Sequence, residues 1–218
     1  MTGDTWQDFV SPATCHMSPI KIGVIILGAG ASSRMGRPKL LLPWKGSTVV
    51  GHLIRQWREL GAGQITVVHR PNDPPMTAEL DRLGFPARDR IENPQPERGM
   101  FSSIACAADW DGWKPETGAW VITLGDQPHL RLETLRSLLE FHAAHADAIC
   151  QPEFDGRARH PVILPRRAFD GLKTTSAGTL EIFLKLIPCQ HVQCRINDPG
   201  LALDMDTPED YKRAKASI

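Results

Sequence analysis

A nearly unbroken apolar run, Ile20-Lys-Ile-Gly-Val-Ile-Ile-Leu27, ends directly on the glycine-rich, basic segment Gly28-Ala-Gly-Ala-Ser-Ser-Arg-Met-Gly-Arg-Pro-Lys39. Apolar on both faces, the run reads as a strand covered from both sides, a situation found almost only in parallel sheets sandwiched between helices. Parallel neighbours need long crossovers, usually helical. The rest of the chain therefore has to alternate.

It does. Val50, Leu53, Ile54 and Trp57 mark one helical stripe that Gly61 and Gly63 stop, and Gln64–His69 is the next strand. A weaker helix over Met76–Leu83, a short strand over Arg88–Glu92, and a helix N-capped by Ser102 and carrying Ile104–Ala108 follow. Ala119–Leu124 is a further buried strand, and Leu132, Leu135, Leu138 and Leu139 mark a strong helix. Strands at Ala148–Gln151 and Pro161–Leu164, a helix through Leu180, Phe183, Leu184 and Ile187, a strand at His191–Ile196, a short extended Leu203–Asp206 and a helix from Thr207 complete the pattern. Right-handed βαβ crossovers then give a single-domain, three-layer α/β/α fold with a Rossmann-like, mostly parallel sheet. Past residue 150 the denser strands and prolines predict a small irregular β part, with an antiparallel strand or hairpin.

At 218 residues the chain makes one domain, spanning 20–218, with residues 1–19 as an aperiodic extension. Twenty-five Lys and Arg balance twenty-five Asp and Glu, so no net field draws in nucleic acid or an anionic membrane, and a charged ligand requires a local site. The five cysteines are scattered without a C-x-x-C pair, which fits a reducing cytoplasm rather than a zinc or disulfide framework. A signal sequence and a bilayer-spanning run are both missing from the pattern.

In open α/β sheets ligands lodge beyond the carboxyl ends of the strands. After the first strand, Gly28, Gly30 and Gly36 permit tight backbone turns with inward N–H groups, while Arg34, Arg37 and Lys39 add positive charge. A Walker A loop is excluded because Gly36 is followed by Arg-Pro instead of Lys-Ser/Thr. The dinucleotide fingerprint is disfavoured by Ser33 at its third glycine. What remains is a loop suited to a nucleoside triphosphate, with Arg34 and Lys39 on its phosphates. Gly125-Asp126-Gln127-Pro128 follows the Ala119–Leu124 strand and leaves Asp126 at the strand tip, where a carboxylate can hold Mg²⁺ together with substrate phosphates. A second carboxylate comes from Leu203-Asp-Met-Asp206, ahead of a near capping box at Thr207 and Asp210; either Asp204 or Asp206 can reach the metal.

Leu27 to Pro43, Gly125-Asp-Gln-Pro128 and Asp204-Met-Asp-Thr-Pro-Glu-Asp210 together resemble the MobA-like nucleotidyltransferases, and among them most closely the molybdenum cofactor cytidylyltransferases. The resemblance implies the nucleotide-diphospho-sugar transferase type of fold. It also implies transfer of CMP from CTP, or of GMP from GTP, to the terminal phosphate of a molybdopterin-type cofactor, with release of pyrophosphate. By position it places the nucleotide against Leu27, Gly28, Ala29, Gly30, Ser32, Ser33, Arg34, Met35, Gly36 and Lys39, with Asn93, Gly99, Ser102 and Ser103 completing the pocket. Arg34, Lys39 and Asp126 become the catalytic groups, Asp126 and Asp204 the Mg²⁺ ligands with Mn²⁺ as a substitute, and Gln127, Arg159, His160 and Pro161 the acceptor side. A monomer or dimer that hands its product to a molybdoenzyme or chaperone fits the same picture.

Two departures concern the acceptor. Arg159 stands where the family usually has Gly before His160-Pro161, and Ser176-Ala-Gly-Thr-Leu180 lacks the acidic and basic residues often found there. The alternatives are a guanylyltransferase, an enzyme for a sugar phosphate or phospholactate, and a catalytically inactive nucleotide- or cofactor-binding accessory protein.

Overall fold

The computed structural model describes residues 21–217; the extension expected over 1–19 lies outside the described residues. Strands β1 (Lys21–Leu27), β2 (Pro43–Trp44), β3 (Ser47–Thr48), β4 (Gln64–His69), β5 (Arg90–Glu92), β6 (Thr117–Leu124), β7 (Ile149–Phe154), β8 (Arg157–Ala158), β9 (Val162–Pro165) and β10 (His191–Arg195) alternate with seven α-helices among the described residues. These are α1 (Val49–Glu59), α2 (Pro74–Arg82), α3 (Met100–Asp109), α4 (Leu132–Ala144), α5 (Arg166–Gly171), α6 (Leu180–Leu186) and α7 (Pro208–Ala216).

The main sheet runs β10-β7-β9-β6-β1-β4-β5, with β8 paired to β7. β1 is central and parallel to both β4 and β6, which explains why its sequence is apolar on both faces. Alternation along it sends Val24 and Ile26 to one side and Ile25 to the other. The first side is covered by α1, α2, α4 and α7 through Leu53, Trp57, Leu80, Leu135 and Ala214. The second is covered by α3, α5 and α6 through Ile104, Phe169 and Phe183, with Phe169 stacked on Trp120 at 4.1 Å. Three layers result, as the alternation predicts. The irregular part past residue 150 is antiparallel: β9 inserts between β6 and β7, and β8 folds back on β7.

Three local expectations need correction. The helix expected from Ser102 starts at Met100, because Gly99 adopts φ +88°, a left-handed turn open to glycine, and takes the N-cap position itself. Leu203–Asp206 is not a strand; it follows a 3₁₀ turn over Pro199–Ala202 and hangs on the Asp126 carbonyl, which accepts from Met205 N at 3.2 Å. The β2–β3 hairpin and the short α5 have no counterpart in the expected pattern.

At the chain's end the capping box forms. Thr207 Oγ1 accepts from Asp210 N at 3.2 Å while Asp210 Oδ2 accepts from Thr207 N at 2.9 Å. Loss of one such cap costs about 1 kcal/mol. Thr207→Ala is expected to lower the unfolding free energy by that amount, read as a lower urea midpoint with an unchanged slope of the transition.

On α1, burial first and then the nearby Lys45 and Arg55 push the His52 imidazole down from 6.5 to about 4. An imidazole whose folded value lies below its unfolded one contributes stability above pH 6.5 and loses it as pH falls toward 4. His52→Gln is expected to flatten the part of the Tm decline that falls within this window, as measured by calorimetry across pH 4 to 7.

Candidate active site

The parallel register places Leu27 beside Leu124, so the loops after β1 and β6 emerge side by side. Gly125 N donates to Leu27 O at 3.1 Å, and a Cβ at Gly125 would lie 2.6 Å from that oxygen. Only glycine allows this junction. Gly28 N bonds Val68 O at 2.8 Å, tying the first loop to β4. The loop then turns through Ser32 at φ +51° and Gly36 at φ +71°, and Ser32 Oγ accepts from Lys39 N at 3.2 Å, closing it.

Gly30 differs from its neighbours. Nothing lies within 4 Å of the Cβ it lacks, and its φ is outside the left-handed region, so neither packing nor backbone geometry within the chain requires glycine there. The empty space faces the cleft, which leaves close approach of a ligand as the physical reason. Gly30→Ala is expected to leave the Tm unchanged while weakening nucleotide binding by about tenfold, the loss of one good contact, as read by titration calorimetry.

Charge gathers where the two loops meet. Lys39 Nζ donates to Asp206 Oδ1 at 2.7 Å and to Asp126 Oδ2 at 3.2 Å, and Arg34 Nη2 pairs with Asp206 Oδ2 at 2.7 Å. Gln127, itself buried, donates from Nε2 to Asp204 Oδ1 at 2.9 Å. The Asp126 carboxyl is pushed up from its ordinary value, chiefly by burial, with Asp204 and Asp206 adding to the shift and Lys39 opposing it. Asp206 moves down because Lys39 donates to it. For Lys39, burial works against the charge, but the bonds to Asp206 and Asp126 outweigh it and hold the ammonium above its ordinary value.

Among the described residues no three His, Cys, Asp or Glu side chains converge as a preformed metal cage. The donor set is nevertheless the kind Mg²⁺ or Mn²⁺ uses: one or two carboxylates, with the remaining positions left to water and phosphate. Asp126 Oδ1 is buried without any partner, and Asp204 lies close enough to raise the Asp126 carboxyl. Asp126 and Asp204 are thus the candidate ligands for a divalent cation. Asp206, by contrast, is already occupied by Arg34 and Lys39, which favours Asp204 as the second ligand.

Leu27, Ala29, Gly30, Ser32, Lys39, Ser103 and Asp126 line one cleft, joined by Gly125 of the same motif as Asp126 and by Leu40, Met100 and Leu124, which the sequence did not assign to the site. Ser33, Arg34 and Met35 form a 3₁₀ turn; the Met35 side chain enters the core and leaves only its backbone to face a ligand, while Ser33 and Arg34 stay exposed. Asn93 is fully engaged inside the protein: Nδ2 donates to Ser102 Oγ at 2.8 Å and Ser103 Oγ at 2.9 Å, and Oδ1 accepts from Gln95 N at 2.9 Å. It braces the start of α3. Ser102 in turn donates to Gly99 O at 2.7 Å.

Of the acceptor-side residues, Gln127 braces Asp204, and Pro161 is buried. Arg159 is pinned beside β7, its N donating to Pro152 O at 2.8 Å and its O accepting from Gln151 Nε2 at 3.1 Å, with Nε buried and unpartnered. His160 lines a neighbouring cleft with Gln151 and Arg157 that shares Met100 with the first. Burial pushes its imidazole down, and the Ile122 backbone and Asp204 offset part of that shift.

Residues 24–191 match the model of the MobA-like NTP transferase domain. The chain belongs to the MobA-like NTP transferase family. Nucleotidyl transfer from a nucleoside triphosphate is accordingly its reaction class, and the cleft at the tips of β1 and β6 lies within the matched residues. A molybdenum cofactor cytidylyltransferase of Escherichia coli strain K12 is 25% identical over 197 residues, covering 89% of this chain and 95% of that protein. The bifunctional protein GlmU of Clavibacter sepedonicus is 35% identical over 123 residues, but these span 56% of this chain and 24% of that longer protein. Rv0371c of Mycobacterium tuberculosis H37Rv, solved in complex with manganese, superposes with a TM-score of 0.62 at 24% identity, covering 91% of this chain and all of that one. No helix among the described residues is long and apolar enough to cross a membrane.

Proposed function

We propose that this MobA-like transferase moves CMP from CTP to the terminal phosphate of a molybdopterin-type cofactor and releases pyrophosphate. One observation carries the catalytic part of this reading: Lys39 joins the β1 loop to both Asp126 and Asp206, which sets cations for phosphate directly against carboxylates suited to a divalent cation. The cytidylyltransferase relative, alike over nearly its full length, supports the choice of nucleotide and acceptor.

The protein's work in this reaction is positioning and charge neutralisation. Main-chain amides of the loop from Gly28 to Gly36 bind the triphosphate. Lys39 and Arg34 stabilise the pyrophosphate as the acceptor's phosphate oxygen displaces it at the α-phosphorus; Arg34, whose side chain is 69% exposed, turns from Asp206 to do so. No general base is needed, since the nucleophile is already ionised. Asp126 and Asp204 would hold Mg²⁺ or Mn²⁺, which when bound supplies Lewis-acid polarisation of the phosphates and neutralises their charge. Gln127 fixes the Asp204 carboxylate and Asn93 fixes α3, both as positioning residues.

The acceptor is assigned to the side of His160, whose cleft shares Met100 with the nucleotide cleft; Arg159 and Pro161 flank His160 in sequence but do not line that cleft. Arg159, in place of the glycine usual there, adds a cation suited to a phosphorylated acceptor. Pyrophosphate release with CTP and with GTP, each offered molybdopterin cofactor or a sugar phosphate in the presence of Mg²⁺, tests the reading. The expected result is turnover with CTP and the molybdopterin acceptor. Turnover confined to a sugar phosphate would replace the acceptor, and nucleotide binding without any pyrophosphate would replace the enzyme with a carrier.

A further inference from the structure

Asp206 is used by no step of the proposed reaction, yet its carboxylate joins both phosphate-binding cations: Oδ1 accepts from Lys39 Nζ at 2.7 Å, and Oδ2 pairs with Arg34 Nη2 at 2.7 Å. Lys39 continues to Asp126 Oδ2 at 3.2 Å, so Arg34, Asp206, Lys39 and Asp126 form a chain of alternating charge. A carboxylate that bridges two cations does what a phosphate group would do there.

The backbone fixes one end of this chain and leaves the other loose. Met205 is fully buried and its N donates to Asp126 O, while Thr207 opens α7 through its capping box, so Asp206 between them cannot follow a departing partner. Arg34 belongs to a turn anchored by the buried Met35, but its own side chain lies in solvent and can reorient. The Asp206 side chain bonds nothing else among the described residues.

Charge decides what this arrangement admits. Asp126, Asp204 and Asp206 outnumber Arg34 and Lys39, and a metal-free polyphosphate would have to take both cations from Asp206 while adding its own negative charge. A held charge that loses its partner is left uncompensated. Once Asp126 is neutralised by a divalent cation, the balance differs. Lys39, an ammonium with three donors, can then keep Asp206 and still spare N–H groups for phosphate, and only the weak, exposed pair with Arg34 is given up. Charge set against one form of a ligand selects the other.

We infer that Asp206 determines which form of the nucleotide enters: it is an internal counter-anion that keeps Arg34 and Lys39 from metal-free polyphosphate, so that the site takes the nucleotide together with a divalent cation. It acts through those two cations, as a positioning residue. This role presupposes a triphosphate on the β1 loop, as proposed above, but neither a particular base nor a particular acceptor.

Titration calorimetry of the full chain, in EDTA with inorganic tripolyphosphate and in Mg²⁺ with CTP, tests it. Asp206→Asn is expected to bind tripolyphosphate about tenfold tighter or more than the wild type, a gain that loss of folding cannot produce, while its affinity for CTP with Mg²⁺ changes by less than about threefold. Asp206→Ser is expected to do the same. Asp204→Asn removes the same charge from a carboxylate bonded to Gln127, not to Arg34 or Lys39, and is expected to shift tripolyphosphate affinity by less than about threefold. In an Arg34→Ala background the gain from Asp206→Asn is expected to shrink, because the guanidinium it releases is missing. Unchanged tripolyphosphate affinity in both Asp206 variants, an equal gain in Asp204→Asn, or an equal gain for CTP with Mg²⁺ would overturn the role of Asp206. Failure of the wild type to bind CTP with Mg²⁺ would overturn the triphosphate site itself, and this role with it.

Discussion

Asp126→Ala is expected to lower kcat by about 10²-fold or more, the scale of removing one preorganised electrostatic group from a water-poor site. Burial dominates the environment of this carboxyl, and one of its oxygens has no partner in the protein. The group is therefore held in a state that favours gaining a cation. Stability runs the other way. A carboxyl whose folded value is raised above 3.8 costs the fold stability as pH rises through that interval, and the cost persists at neutral pH. Asp126→Asn is accordingly expected to lose activity while its Tm holds or rises. Near-normal turnover in either variant would remove Asp126 from the site.

Lys39→Ala should be comparably severe for turnover, about 10²- to 10³-fold, and its side effects are diagnostic. The side chain is 14% exposed and bridges two carboxylates contributed by segments 87 and 167 residues further along the chain. Without it Asp126 is left under the unopposed charges of Asp204 and Asp206, with Arg34, paired to Asp206, as the remaining nearby cation. Removing one partner from a buried ionic cluster leaves charge uncompensated, which destabilises the fold and strengthens the pull on divalent cations. The expected signature is lower turnover, a lower Tm in EDTA, and a Tm that recovers when Mg²⁺ is added. Lys39→Arg is not expected to rescue activity, because a planar guanidinium cannot occupy the point between Asp126 Oδ2 and Asp206 Oδ1 as an ammonium does. A Lys39→Ala enzyme with wild-type kcat would show that the bridge serves only the fold.

How far the sequence was readable follows from the range of the forces involved. β1, β4, β6 and the helices α1 and α4 announce themselves because burial on both sheet faces and one-sided helix packing write local periods into the chain. The glycines at 28 and 125 reflect contacts with adjacent strands, and the Thr207–Asp210 cap is a three-residue affair, so these too are legible locally. The start of α3 was misplaced because Gly99, not the better capping residue Ser102, meets the backbone's need for a left-handed turn. The denser strands and prolines past residue 150 signal an antiparallel element, but not which strand it is: β9 carries the same apolar composition as a parallel strand, and its direction depends on β6 and β7, about 40 and 12 residues earlier. The Lys45-Gly46 turn between β2 and β3, both residues at positive φ, had only Gly46 as a signal. Within the site, Asp206 was legible as a candidate but not as the residue that holds Lys39 and Arg34, since nothing near position 206 encodes those distant cations.

The central claim is that a nucleoside triphosphate on the β1 loop and a divalent cation on Asp126 and Asp204 share one cleft. Binding of Mn²⁺ followed by electron paramagnetic resonance, with and without CTP, tests it most directly. Weak Mn²⁺ binding alone, strong binding when CTP is present, and loss of that enhancement in both Asp126→Asn and Asp204→Asn are expected. Mn²⁺ binding that ignores the nucleotide, or an enhancement that survives in both variants, would contradict it.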